Sequence, residues 1–247
     1  MTAGALLALG PVVLLAVACG SGSAPSAASP SSASAESSST HAAGPLAPWP
    51  CLANVQATAA VVPGTPELTL AFVGTGTRVL ILSNQSDEDL CSWLPLAQRL
   101  VDRGLKVALY DYVTSPRADL GRAITYVRSH GATAVSIAGA SQGAKTSIIV
   151  GATVAPPVQA VVSLSAEAAL QGVAVAPYAA RLRVPTLFLT AAHDAYGSTS
   201  ATKGYYRATP APTKRLVLVP GTAHGTALLA SAPVTAAVVD FVAAHDR

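Results

Sequence analysis

The residues Gly139-Ala140-Ser141-Gln142-Gly143 spell G-x-S-x-G. The apolar run Ala134-Val135-Ser136-Ile137-Ala138 leads into them, and the residues from Gln142 to Gly151 can continue as a helix. A strand, a tight turn and a helix are the setting that thrusts a serine hydroxyl out above a sheet as a nucleophile. The two flanking glycines let strand and helix approach closely. A serine hydroxyl is weak alone and needs a neighbouring base. Five histidines are available. His41 lies in a Ser/Ala/Pro-rich stretch, His130 at a helix end before Gly131, and His245 in the C-terminal tail. His193 directly precedes Asp194. His224 lies in the Gly-bounded loop Pro220-Gly221-Thr222-Ala223-His224-Gly225, after the last strand candidate. Ligand chemistry collects at the ends of buried parallel strands, so His224 is the favoured base, expected within hydrogen-bond reach of Ser141.

A third group must orient the imidazole and stabilise its charged form. Asp194 follows the apolar strand Thr186-Leu187-Phe188-Leu189-Thr190 and the short Ala191-Ala192-His193. The chain order Ser141, Asp194, His224 is one in which such triads occur. Asp111 also ends a strand but precedes the serine, and it reads as structural, a turn or cap residue. Glu167, after Val162-Ser163-Leu164-Ser165, is the alternative acid.

The elements that must position these groups alternate along the chain. Apolar strand candidates cover Leu68–Val73, Arg78–Ser83, Lys106–Tyr112, Ala134–Ala140, Ala160–Ser165, Pro185–Thr190 and Arg215–Val219. Most are continuous Val/Ile/Leu-rich runs, the pattern of strands buried on both faces. Helix candidates cover Trp93–Arg103, Ala118–His130, Gln142–Gly151, Thr199–Arg207 and Pro233–Ala244. The alternation predicts an α/β fold with a doubly wound, mostly parallel sheet. The Gly74-Thr75-Gly76 turn between the first two strands is too short for a parallel crossover, which predicts antiparallel pairing. Residues 168–184 leave room for a short helix, so no large cap domain is expected.

From about Arg78 to Ala244 the sequence resembles the α/β-hydrolase superfamily, in particular its small, lidless, dienelactone-hydrolase-like esterases. The likeness rests on Gly139–Gly143, the Leu189–Asp194 strand end and the Val219–Gly225 loop. It implies Ser141 as nucleophile, His224 as general base and then acid, and Asp194 as its partner. Some members of the fold carry the acid one strand earlier, where Glu167 stands. The resemblance further implies an oxyanion hole made by the backbone N–H groups of Gln142 and Gln85. Here the sequence departs from the family, which has His-Gly after its first parallel strand. Ser83-Asn84-Gln85 replaces it, with Asn84 in the glycine's place, and Asn tolerates a left-handed backbone better than most residues. The implied reaction is cleavage of small or medium carboxylic esters or thioesters through an acyl-enzyme. Two alternatives stay open: an acyltransferase with the same triad, and a non-catalytic surface-binding lipoprotein that keeps the fold.

The folded domain is expected at residues 49–247. Residues 1–18 read as a signal peptide, since the apolar run ending Ala16-Val17-Ala18 is shorter than the roughly 20 residues that span a membrane. Cys19 follows directly, which resembles a bacterial lipobox with Cys19 as the lipidated residue; a plain secretory signal is the alternative. Residues 19–48 read as a tether of Ser, Ala, Pro, Gly and Thr, too poor in apolar surface to fold alone. The expected location is therefore export, either anchored to the cell membrane by lipid or secreted. Cys51 and Cys91 then remain, an even number in an oxidising compartment, and read as a disulfide; two separate buried thiols are the alternative. The net charge of +3 comes without a basic run, which argues against nucleic acid. No Cys/His cluster has metal-ligand spacing, and no cofactor is expected.

Overall fold

The computed structural model describes residue 46 and residues 49–246. The signal peptide (1–18), Cys19 and all of the tether except residue 46 fall outside the described residues. The described chain builds an eight-stranded sheet from β1 (Ala57–Val62), β2 (Leu68–Val73), β3 (Arg78–Ser83), β4 (Lys106–Tyr110), β5 (Ala134–Ala140), β6 (Val161–Leu164), β9 (Thr186–Ala191) and β10 (Lys214–Val219). A small hairpin, β7 (Ala169–Leu170) with β8 (Val173–Ala174), lies apart from it. The helices are α1 (Leu94–Val101), α2 (Pro116–Ser129), α3 (Gln142–Gly151), α4 (Ala176–Ala179), α5 (Ser198–Ala208) and α6 (Ala232–His245).

Strand order is β1-β2-β4-β3-β5-β6-β9-β10. The pairs β1/β2 and β2/β4 are antiparallel and the remainder are parallel. Because side chains alternate across a strand, each central strand feeds two cores. Leu80, Leu82, Val107 and Leu109 pack with Leu96 and Leu100 of α1 and Val238 and Val242 of α6. Val79, Ile81, Val135 and Ile137 pack on the other face with Leu120 and Ile124 of α2 and Ile148 of α3. This double coverage is why the strands read as continuous apolar runs.

Two features correct the sequence reading. The strands β2 and β3 run antiparallel but do not pair: β4 lies between them, joined to β2 at Ala71↔Leu109 and to β3 at Leu80↔Val107. The link through residues 74–77 therefore crosses two strand spacings, roughly 10 Å, well within the reach of four extended residues. The edge strand β1 is an addition; its half-exposed Ala-Thr-Ala-Ala-Val-Val lacks the dense apolar signal of the centre. Between β6 and β9 only the β7–β8 hairpin and the four-residue α4 occur, so no large cap covers the sheet edge.

The N-terminal arm is tied down at Cys51, which is bonded to Cys91 with a Cα–Cα separation of 5.9 Å across 40 residues of sequence. Cys91 lies in the 3₁₀ turn Leu90–Trp93 that follows the β3 loop. Closing a loop of that length stabilises a fold by about 4 kcal/mol in the chain-entropy view. The double variant Cys51→Ser/Cys91→Ser is expected to lose stability of that order in urea unfolding; an unchanged midpoint would show that the arm contributes nothing to the folded domain.

Candidate active site

Ser141 follows the last residue of β5 and precedes the first residue of α3, with φ 48° and ψ −109°. A non-glycine residue in this region costs on the order of 1–3 kcal/mol and persists only where its surroundings enforce it. The enforcement is visible. Ser141 N–H donates to Leu164 O on β6 at 2.8 Å. A Cβ on Gly139 would come within 2.2 Å of the Gly143 carbonyl carbon, and one on Gly143 within 2.1 Å of Ser83 O. Strand, helix and the loop after β3 thus meet backbone to backbone, which only glycine allows.

Asp194 lies beyond β9 in a loop that continues the β9/β10 pairing: Ala192 N donates to Val219 O, His193 N to Gly221 O and Ala195 N to Thr222 O. That register sets Asp194 beside the loop carrying His224. The His224 Nδ1 lies 2.9 Å from Asp194 Oδ1 and 3.0 Å from Oδ2. Only carboxylate oxygens face Nδ1, so it carries the proton and donates. Tyr196 N also donates to Asp194 Oδ1, at 2.9 Å. Burial pushes the Asp194 carboxyl up, but the adjacent Ser165 hydroxyl, the His224 ring and the Tyr196 N–H together outweigh it, and it titrates below the ordinary carboxylate range. The ionised form therefore persists as pH falls past the point where a free aspartate takes up a proton.

Glu167 occupies a different place from the one that an acid behind His224 would take. Asp194 holds Nδ1, whereas Glu167 sits on the opposite side of the ring, with Oε1 3.5 Å from His224 Nε2. The Ser141 hydroxyl donates to the same Glu167 Oε1 at 2.9 Å. Lys145 Nζ, one turn along α3 from the serine, pairs with Glu167 Oε2 at 2.8 Å. Among the described residues no hydrogen bond joins Ser141 directly to His224, contrary to the expectation from sequence; the Glu167 carboxylate stands between them. The Glu167 backbone is anchored from α5, where Tyr205 OH donates to Glu167 O at 2.7 Å.

The two candidate oxyanion donors are the backbone N–H groups of Gln142 and Gln85. Gln142 opens α3, so its N–H has no intrahelical acceptor. The Gln85 N–H has no partner among the described residues. Gln85 is buried, and its Oε1 accepts from Thr226 N at 3.1 Å, linking the β3 loop to the His224 loop. Asn84 is used otherwise than expected. Among the described residues the non-glycine positive-φ positions are Ser141, Ser165 and Gln171, so Asn84 adopts no left-handed backbone. Its value is its side chain: Nδ2 donates to Tyr110 O at 3.0 Å and to Asp111 Oδ1 at 2.6 Å. Asp111 also accepts from Leu90 N at 2.8 Å and from Trp49 Nε1, which gives it the structural role its position suggested. Sequence reasoning passed over Lys145, whose signal was a lone cation one turn after the serine on an otherwise uncharged helix.

No protein-family model matches this sequence, and no curated protein matches it. Solved structures do. An esterase of Pyrococcus furiosus superposes with a TM-score of 0.68 at 12% identity, over 78% of this chain and 94% of its own. A monoacylglycerol lipase of Paleococcus ferrophilus gives 0.64 at 14%, over 72% and 99%. A dienelactone hydrolase of Anabaena variabilis gives 0.61 at 21%, over 77% and 96%. The chain has the α/β-hydrolase fold.

The glycine packing yields a paired test. Gly143→Ala drives a Cβ into the Ser83 backbone and is expected to cost about 1–3 kcal/mol or more. Gly121→Ala in α2, where a Cβ meets nothing within 4 Å, is expected to be stabilising by roughly 0.5–1 kcal/mol. Thermal melts of the two variants should shift in opposite directions; equal shifts would remove the argument for a sterically enforced turn.

Proposed function

We propose that the protein is a serine hydrolase that cleaves carboxylic esters or thioesters through an acyl-enzyme on Ser141. The observation that carries this reading is the strained, backbone-enforced Ser141 on the same sheet rim as an imidazole whose Nδ1 is held by Asp194. Asp194 fixes the tautomer, so the lone pair of His224 Nε2 faces the serine side. As an ester enters, the Ser141 hydroxyl exchanges its hydrogen bond from Glu167 to His224. Ser141 Oγ attacks the carbonyl carbon and its proton passes to Nε2. The carbonyl oxygen becomes an oxyanion between the N–H groups of Gln85 and Gln142. His224 then returns the proton to the leaving alcohol or thiol. Water, deprotonated by the same imidazole, releases the acid and restores Ser141. An acyltransferase would differ only in the final acceptor.

The binding-scaffold alternative draws on one specific observation, the hold of Glu167 on the serine hydroxyl. Kinetics separate the readings. Ser141→Ala is expected to abolish turnover of p-nitrophenyl acetate. Asp194→Asn should lower kcat by several orders of magnitude, with about 10⁴-fold as the reference for a lost orienting carboxylate. Glu167→Gln should be far milder than Asp194→Asn, since Glu167 does not face Nδ1. Equal rates for wild type and Ser141→Ala would leave the scaffold reading in possession of the site.

A disulfide between Cys51 and Cys91 suits an oxidising compartment, and we place the protein outside the cytoplasm, held to the membrane by a lipid on Cys19. Cys19→Ser should move the protein from the membrane fraction to the medium while hydrolysis persists; wild-type protein free in the medium with an unmodified Cys19 overturns the anchor.

A further inference from the structure

The loop that supplies the proposed Gln85 donor lacks the glycine its fold usually places there, so something else must aim that N–H. The cis peptides among the described residues both precede proline, so the Asn84–Gln85 bond is trans. In a trans peptide the C=O and N–H point to opposite sides of one rigid plane. Whatever holds Asn84 O therefore sets the direction of Gln85 N–H. Tyr112 OH donates to Asn84 O at 2.9 Å, from just beyond the end of β4. The same carbonyl is confined on the α3 side, lying 2.8 Å from where a Gly143 Cβ would be. The Asn84 side chain is fixed separately, on Tyr110 O and Asp111. Burial holds the Tyr112 phenol well above its ordinary range, so it remains a neutral donor.

We infer that Tyr112 is a positioning residue for the oxyanion hole: its hydroxyl locks the Asn84–Gln85 peptide with Gln85 N–H facing the reacting carbonyl. A flip of this peptide would turn the Asn84 carbonyl toward the developing oxyanion, where it repels instead of stabilising. The loss is confined to the transition state, because a ground-state carbonyl draws far less on these donors. The inference rests on the hydrolase reading of Ser141.

Tyr112→Phe tests it, since it removes the hydroxyl and keeps the ring. The expected result is a fall in kcat of about tenfold, below the 10²–10³ of a fully deleted donor, with KM within about twofold. Affinity for a short alkylboronic acid, whose adduct on Ser141 is tetrahedral and anionic, should fall by the same factor as kcat. In the wild type, boronic acid binding should also slow hydrogen exchange at the Gln85 amide, a readout that does not depend on the variant folding. Unchanged kcat and unchanged boronic acid affinity in Tyr112→Phe overturn the inference. So does a higher KM at constant kcat, and so does a Gln85 amide indifferent to the boronic acid. If the wild type has no turnover sensitive to Ser141→Ala, the hydrolase reading fails and takes this inference with it. If that turnover is intact and only the Tyr112→Phe effects are missing, the inference fails alone.

Discussion

Three backbones share a space that leaves no room for a side chain: the end of β5, the first turn of α3 and the loop after β3. That contact holds Ser141 at positive φ, and the rest of the site is arranged around it. The parallel register carries the consequence across the sheet. Ser83 lies opposite Gly139, Ala140 opposite Leu164, Leu164 opposite Leu189 and Ala191 opposite Val219. Five strand ends therefore open on one rim, and the loops leaving them bring Gln85, Ser141, Glu167, Asp194 and His224 together. The Gln85 side chain ties the first of these loops to the last through Thr226.

The charges on this rim divide into two pairs. Asp194 is committed to His224, and its hydrogen bonds keep it ionised against the cost of burial. Glu167 is committed to Lys145 and to the serine hydroxyl. A carboxylate beside a serine would oppose the negative charge of the proposed acyl transfer, so on that reading its contact with Ser141 belongs to the free site and not to the reacting one. Lys145 gives that carboxylate a second partner, so releasing the serine does not leave Glu167 unpaired.

Much of this was legible from residue order because the fold's chemistry depends on chain connectivity. The G-x-S-x-G turn, the apolar run before it and the acidic and imidazole residues after two later strands all sit where local pattern alone can locate them. The five longer helices were legible as well, since Pro95 near one start and Gly104 past its end mark boundaries by backbone chemistry. What stayed hidden depends on distant pairing. The insertion of β4 between β2 and β3 is a long-range pairing that the short Gly74–Gly76 turn does not reveal. The part of Asn84 is invisible without Tyr110 and Asp111, which lie 26 and 27 residues away. Glu167 was recognised as a carboxylate near the site, yet only the three-dimensional arrangement separates the two sides of the imidazole.

The central claim is that Ser141 is an activated nucleophile, and covalent labelling reads this most directly. Incubation with a fluorophosphonate, followed by intact-mass and peptide-mapping mass spectrometry, should show one adduct per chain on the peptide that contains Ser141. His224→Ala should suppress it. An unmodified protein, or an adduct on another residue that persists in Ser141→Ala, would contradict the account.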